Sequence, residues 1–525
     1  MVMQPYPVHV YPGWKGIDKN SIPGLSDPAS IGDCDNIVLT LDGLKRKAPG
    51  TSQYHTGGLE TLASPRFGID FWRTSGSSQN QSIIVGGGGR FYADSGDGAF
   101  RDITGATALG TNPYMSGLAY TGLMILCVEG LSPYKYNMTG DISALGGTPP
   151  AAKYAQKFKR RTFLAGNPAA PHRLYRCTDV DDPESGYTNY LDIDAGASGG
   201  DEDPVGITAL FPQWRDRMFV SKRNSLYYVY YTGDFTFPYG YNAVDCSHGC
   251  LEHNTVAVVP NDIIYVSERG VHSLVATEKY GDSESAFLSK NLQGTPSWWS
   301  ENVDVSQAEY FWGKYVPIEN SYFLSCRTKD ATYNDLLLTY NLELKEWTIR
   351  KDWGVGAIFT AHDIYRYRKL MRLDNLGRVG FLDWDTMSDF DVLYNADFTT
   401  NPIIPTKMPN ILHDFIDIVV YYRPFDLSTT SVYMTYWLDG VEIETLELPL
   451  EHGAVIGEAV IEVDTIQAPK EWQRLTLPLK GHGTTIKLKF FQNAKQNDDQ
   501  FGIFGFTINT EVDEKDLKTL SLQEV

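Results

Sequence analysis

The sequence predicts an all-β protein, a β-propeller followed by an antiparallel β-sandwich, and three observations carry that expectation. Short apolar segments are closed within a few residues by Gly, Asn, Asp or Pro. A unit of about 40 residues recurs. The strand texture changes near Leu412. The 525 residues include 48 Gly and 27 Pro, with 42% hydrophobic and 13% aromatic side chains, too apolar for disorder and too punctuated for long helices. Ser82 to Val85, Leu123 to Val128, Asp262 to Val266, Asp335 to Tyr340 and Leu370 to Leu373 have the alternating or continuous apolar character of strands. The best helical window, Lys153 to Arg161, reads equally well as a strand.

The repeat emerges when two stretches are set side by side. Ser82 to Val85, Arg90-Phe91-Tyr92 and Asp102-Ile103 match Leu123 to Leu126, Tyr134-Lys135-Tyr136 and Asp141-Ile142, with the Asp-Ile pairs 39 residues apart. That period suits a four-stranded propeller blade. Related units run over Gly206 to Tyr231, Asn254 to Val275, Gln307 to Trp347 and Gly356 to Trp384. The span from about 60 to 385 therefore holds about seven blades, with six to eight compatible, at roughly 45 residues each. A ring is favoured over two stacked sandwiches because radial packing covers both faces of every twisted sheet and leaves only short edges.

The domain boundaries follow. Residues 1–60 form an extended strand segment closing or docking on the propeller, 61–395 the propeller, 396–411 a Pro-rich linker, 412–512 the sandwich and 513–525 a charged tail. The sandwich strands are expected over Phe415 to Tyr422, Val432 to Leu438, Val441 to Leu448, Val455 to Val463, Glu471 to Pro478, Thr485 to Phe491 and Phe501 to Asn509.

Forty-five Lys and Arg against 65 Asp and Glu give a net charge of −20. The surface as a whole repels nucleic acid and anionic membranes, which excludes a duplex-gripping protein. The N-terminus has no basic region followed by an apolar stretch, and no window reaches the length of a membrane span, so neither export by a standard signal nor a membrane span is expected. The six cysteines, 34, 127, 177, 246, 250 and 326, are expected to be reduced core residues.

No motif assigns a catalytic, cofactor-binding or metal residue, and the chain is not expected to be an enzyme. Cys246-Ser247-His248-Gly249-Cys250 with His253 lacks the second ligand pair of a structural zinc site and reads as a tight Gly turn entering a core strand. The carboxylates Asp179, Asp181, Asp182, Glu184, Asp192, Asp194, Asp201 and Asp203 do not follow the ligand order of a calcium loop and read as a solvated acidic loop. Ser95-Gly96-Asp97-Gly98 departs from the sialidase Asp box, Trp384-Asp385 stands alone, and Gly86 to Gly89 is a hairpin turn with no helix or Lys-Ser/Thr after it. No Gly-x-Ser-x-Gly elbow occurs, and His172, His362 and His413 have no evident partners. The aromatics Trp298-Trp299, Tyr310-Phe311-Trp312 and Tyr227 to Tyr231 are expected to fill space between blades rather than to form platforms.

The run Trp14-Lys15-Gly16-Ile17, Cys34-Asp35-Asn36-Ile37-Val38-Leu39 and Asp42-Gly43-Leu44-Lys45-Arg46-Lys47-Ala48-Pro49-Gly50 resembles the start of the β-propeller tail proteins of short-tailed bacteriophages. These are the nozzle, or packaged-DNA stabilisation, proteins. In that family a strand-turn-strand of this kind leads into the first blade. Further likeness in texture lies in Lys159 to Asn167 with Arg173-Leu174-Tyr175, and in Gly206 to Leu210 with Met218 to Lys222. It continues in Gly249-Cys250 ahead of Ile263 to Val271, and in Leu338-Thr339-Tyr340 leading to Trp347.

The resemblance implies a structural virion protein, made in the host cytoplasm and located in the tail. It implies a homo-oligomeric ring, commonly a hexamer, beneath the portal adaptor and in contact with tail fibre, spike or needle proteins. Such a ring extends the DNA channel, retains packaged DNA and lets it pass on ejection. Six copies of a −20 chain would make an acidic tube through which double-stranded DNA slides without sticking. The alternatives are a receptor- or carbohydrate-binding tail protein (an adhesin) and, further off, a propeller glycoside hydrolase. The hydrolase would require convergent carboxylates about 5–9.5 Å apart at the propeller centre.

Overall fold

In the computed structural model the chain is all-β. The structure describes residues 3–513 apart from 11–13, 23, 25, 42, 61, 76–77, 95, 97, 195–205, 235, 281–285, 295–296, 363–367, 424–430, 449–472 and 494–499. Seven separate sheets form the propeller blades, and two further sheets form the sandwich.

Blades 1 to 4 are four-stranded antiparallel sheets beginning at Pro65, Met115, Tyr154 and Ala209. Lys153 to Arg161 is strand rather than helix, with Tyr154–Phe158 paired to Arg161–Ala165 through a two-residue turn. Lys159 and Arg160 both have positive φ there, 44° and 62°, a primed hairpin turn that follows the strand twist. The second strand of each blade is its most apolar: Ile83, Ile84 and Val85 in blade 1, and Met124 to Val128 in blade 2, are all 1% exposed or less. Sheet covers both of its faces, which explains the continuous apolar runs.

Blade 5 has three strands, Ala257–Val259, Asp262–Ser267 and Gly270–Ser273. The chain then turns into a short helix, Leu274–Tyr280, and a second, Trp298–Asn302, and no fourth strand of this sheet occurs among the described residues. Ser297 caps the latter, accepting from the Ser300 N–H. Blade 6 spans Trp312–Val316 to Glu346–Arg350.

Blade 7 closes the ring. Its own strands are Ala357–His362, Arg368–Leu373 and Val379–Asp383, and the next is Gly50–Gln53 from the N-terminal segment, antiparallel to Val379–Asp383. The inner strands of blades 7 and 1 then pack so closely that a Cβ on Gly68 would lie 2.3 Å from the Phe359 ring. A buried ion cluster locks the closure. Asp389 accepts from Thr51 (2.7 Å), Arg350 (2.5 Å) and Trp353 (3.3 Å) and lies 3.3 Å from Arg372. Arg350 also donates to the Pro49 carbonyl at 2.9 Å.

The N-terminal segment divides its strands between the two domains. Among the described strands of this segment, only Gly50–Gln53 joins the propeller. Met3–Pro5 and Val8–Val10 pair with Gly502–Asp513, Ile37–Leu39 and Lys45–Lys47 extend the same sheet, and Ile31–Asp35 pairs with Ala396–Thr400. The expected 1–60 docking segment is therefore mostly sandwich, and the expected 396–411 linker opens with a sandwich strand. Both boundaries were obscured because the partners lie hundreds of residues away in sequence.

The sandwich strands otherwise follow expectation, at His413–Tyr422, Val432–Leu438, Val441–Leu448, Gln473–Pro478, Ile486–Gln492 and Gly502–Asp513. The expected strand Val455 to Val463 and the tail beyond Asp513 lie outside the described residues. One hydrophobic cluster runs from sandwich residues such as Phe398, Phe490 and Phe506 to Trp347 and Ile349 of blade 6, so the two domains share a core.

Candidate functional site

The first strands of the blades line the propeller axis, and there they enclose a cavity of about 370 Å³. Its walls come from every blade or the turn leading into it: Asp70, Gly117, Gln156, Leu210, Val256, Lys314 and His362 are among the lining residues. Inner strands alternate between the axis and the blade interior, so a polar residue placed in an otherwise apolar strand at that register faces the cavity.

Asp70 and His362 meet at one side, 3.0 Å apart between Oδ2 and Nδ1, although 292 residues separate them. Trp72 Nε1 donates to the same oxygen at 2.9 Å, and Gln81 Nε2 donates to Oδ1 at 2.9 Å and to the His362 carbonyl at 2.8 Å. Both Asp70 oxygens are thus engaged in hydrogen bonds. His362, expected to lack a partner, has one that only the closure of blade 7 on blade 1 brings near.

The same cavity is lined by two cations, Lys314 and, directly across the hairpin from His362, Arg368. Lys314 has no ion pair or hydrogen bond among the described residues, and its ammonium lies 5.6 Å from the Trp312 ring. Burial and then the Arg368 charge push its ammonium down to about 8. Arg368 donates from Nε to Thr360 Oγ1 at 3.0 Å and has no carboxylate partner among the described residues. His253 is pushed down to about 4, first by burial and then by Lys314, so it is neutral at pH 7. Its Nδ1 accepts the Leu210 N–H at 3.3 Å, which makes Nε2 the donating nitrogen.

Next to His253 lies a second buried group. Glu252 accepts from the Tyr114 hydroxyl and from the Asn254 N–H at 3.0 Å, and Asn254 Nδ2 donates to that hydroxyl at 3.0 Å. Burial raises Glu252 to about 7, opposed by Lys153 and Arg66. Lys153 sits over the Tyr114 ring at 4.3 Å and pairs with Glu129 at 3.3 Å.

The other residues singled out in the sequence have structural places. Cys250 is buried, its N–H donating to Ser221 Oγ at 2.6 Å. The preceding Gly249 is required because a Cβ would lie 1.9 Å from the Lys222 carbonyl. Among the described residues no group of three or more His, Cys, Asp or Glu is placed to hold a metal ion. None of the six cysteines is joined in a disulfide, and five are buried.

The acidic stretch is partly tied down: Asp181 pairs with Arg160, Asp192 with Arg173 at 3.0 Å, and Asp194 accepts from Tyr227 at 2.7 Å. Asp201 and Asp203 lie outside the described residues. His413 is buried between Thr406 and Thr510, its ring nitrogens 3.3 and 3.4 Å from their hydroxyls, and burial pushes it down to about 4. Trp299 is core, its Nε1 donating to the Glu268 carbonyl at 3.2 Å.

The cavity residues Asp70, Gln156, Lys314 and Arg368 were not singled out by sequence reasoning. For the first three the available signal was a polar residue inside the first strand of a blade, as in Tyr154-Ala155-Gln156 and Trp312-Gly313-Lys314; Arg368 opens the second strand of blade 7 and carries no such signal.

The joint between the domains is built by the stretch that carries the family resemblance. Asn36 takes positive φ (54°) and donates from Nδ2 to the Asn395 carbonyl at 2.8 Å. Gly43 turns the chain at φ 79°, and a Cβ on Gly50 would lie 2.2 Å from the Ser388 carbonyl. Cys34 accepts the Ile349 N–H at 3.2 Å, stitching the sandwich to blade 6. Lys45 is fully buried, over the Trp14 ring at 4.6 Å and the Phe398 ring at 5.1 Å.

No family model matches the chain, and no curated protein matches it. Among solved structures, BamB from Moraxella catarrhalis is similar at 9% identity and a TM-score of 0.36, covering 73% of this chain and 98% of its own. The WD40 propeller domain of Doa1 is similar at 8% identity and a TM-score of 0.35, covering 64% and 96%. An exo-β-1,3-galactanase from Phanerochaete chrysosporium is similar at 9% identity and a TM-score of 0.26, covering 88% and 99%. At these levels the likeness carries no statement about what the chain does.

Proposed function

We propose that the chain is a structural subunit of a short-tailed phage virion, a tail nozzle that assembles as a ring, expected to be a hexamer, below the portal adaptor. The observation that carries this reading is the joint. The stretch that resembles the nozzle family, Cys34 to Gly50, runs through the sandwich sheet and delivers Gly50–Gln53 as the closing strand of blade 7. Asn36, Gly43 and Gly50 each meet a geometric need there, so the resemblance rests on residues that join the two domains.

A protein that holds DNA under pressure needs such a joint. A shared core and a propeller closed by a strand from the other domain resist separation better than a flexible tether. The charge of −20 supports the same reading, since a strongly acidic ring repels phosphates and lets the duplex slide. Tail fibre, spike or needle proteins are the expected partners on the distal side.

The test is DNA retention. Heads of the source phage assembled without this protein should leak nuclease-sensitive DNA, and adding the purified protein should protect it. Heads that retain DNA equally well without it would overturn the proposal and favour a receptor-binding role.

A further inference from the structure

The axial cavity is lined by groups that donate hydrogen bonds and by cations that have no counter-ion among the described residues, inside a protein whose net charge is strongly negative. Lys314 and Arg368 face it with no carboxylate partner among the described residues, and they are close enough for the charge of one to act on the other. The carboxylate in the lining, Asp70, is engaged by Trp72, Gln81 and His362 and forms no direct pair with either cation among the described residues. Gln156 accepts the Lys157 N–H through Oε1 at 2.9 Å, which leaves its amide nitrogen free to donate. His253, neutral with Nδ1 occupied, offers Nε2–H.

Lys314 is half-buried in the cavity wall and Arg368 reaches it from an exposed position; with no carboxylate partner for either among the described residues, the two like charges repel, and an anion between them relieves that repulsion. The volume is several times that of an inorganic anion and falls within the range of small-molecule sites. Phe67, Trp312 and Phe359 edge the same cavity, so apolar atoms stand beside the donors, the mixture typical of small-molecule sites.

We propose that the propeller axis is a binding site for one carboxylated sugar residue, a hexuronate or its glycoside, with the carboxylate on Lys314 and Arg368 and the hydroxyls on Gln156 and His253. This goes beyond the nozzle reading and does not depend on it.

Isothermal titration calorimetry of the full chain at low ionic strength, with glucuronate, glucose and inorganic phosphate as the probes, tests it. Glucuronate is expected to bind, with glucose weaker by about tenfold or more because it lacks the charge-assisted contacts. Lys314→Met should weaken glucuronate by a similar factor while Lys314→Arg retains it. Arg368→Gln, at an exposed position, provides a second variant if Lys314→Met does not fold. No heat with glucuronate, equal binding of glucose and glucuronate, phosphate binding as tightly as glucuronate, or an unchanged affinity in Arg368→Gln and Lys314→Met would each overturn the assignment.

Discussion

The closure of the propeller rests on one carboxylate. Asp389 holds Thr51 of the N-terminal strand, Arg350 of blade 6 and Arg372 of blade 7 at once. The two guanidinium groups are 5% and 6% exposed. Asp389→Asn keeps the shape but leaves two buried cations facing a neutral amide. Removing one partner of a buried pair costs about 3–5 kcal/mol. If that loss falls on the Gly50–Gln53 strand, its amides and those of Val379–Asp383 should exchange with solvent two to three orders of magnitude faster, at about 1.4 kcal/mol per decade.

The pH dependence has a definite sign. Burial raises the Asp389 carboxyl, but Arg350 and then Arg372 outweigh it and hold the group below its usual value. The folded state therefore binds the proton less readily than the unfolded chain. The contribution is fully present above about pH 4 and is lost as pH falls through the folded value. The wild type and Asp389→Asn should differ most near neutrality and converge in acid. Hydrogen exchange by mass spectrometry reads both effects. As a control, Asp397→Asn removes the half-exposed pair with Lys489 (3.3 Å) and should cost about 1 kcal/mol or less. Acceleration of less than about tenfold at 50–53 in Asp389→Asn would refute the reasoning.

Three further outcomes are expected. Lys45, pushed down to about 7 by burial, binds fewer protons folded than unfolded, so wild-type stability should rise between about pH 7 and 10. Lys45→Met should flatten that rise and add a few kcal/mol at pH 7 in urea titrations, the Trp14 and Phe398 faces having offset only part of the cost. Glu252, raised to about 7 by burial, stabilises fully below its unfolded value and loses that contribution as pH rises through 7. Glu252→Gln should therefore melt higher than wild type at pH 8 and not at pH 4.5 in thermal scans. Gly50→Ala forces a Cβ against the Ser388 carbonyl and should lower stability by about 1–3 kcal/mol in urea titrations, with faster proteolysis near residue 50.

The blades were legible because their strands are consecutive hairpins whose register is local, as in the pairing of Met115–Tyr120 with Leu123–Val128. The N-terminal strands were not. Val8–Val10 is three residues long and pairs with a strand some 500 residues away, and Ala396–Thr400 alternates cleanly but is too short to stand out ahead of Pro402, Pro405 and Pro409. Among the described residues blade 5 has three strands, and this was hidden because Leu274–Tyr280 is a single short helix with one apolar edge. The cavity was illegible for a related reason. Lys314 and Asp70 look like ordinary strand residues until seven first strands are brought onto one axis, and only then does an unpaired lysine become conspicuous.

The most direct test of the central claim is negative-stain imaging of phage heads lacking this protein after mixing with the purified chain, with its mass measured in parallel by light scattering. The account predicts a ring in solution or on the head, visible as a new sixfold knob below the portal vertex. A chain that stays monomeric and never joins a head would contradict it.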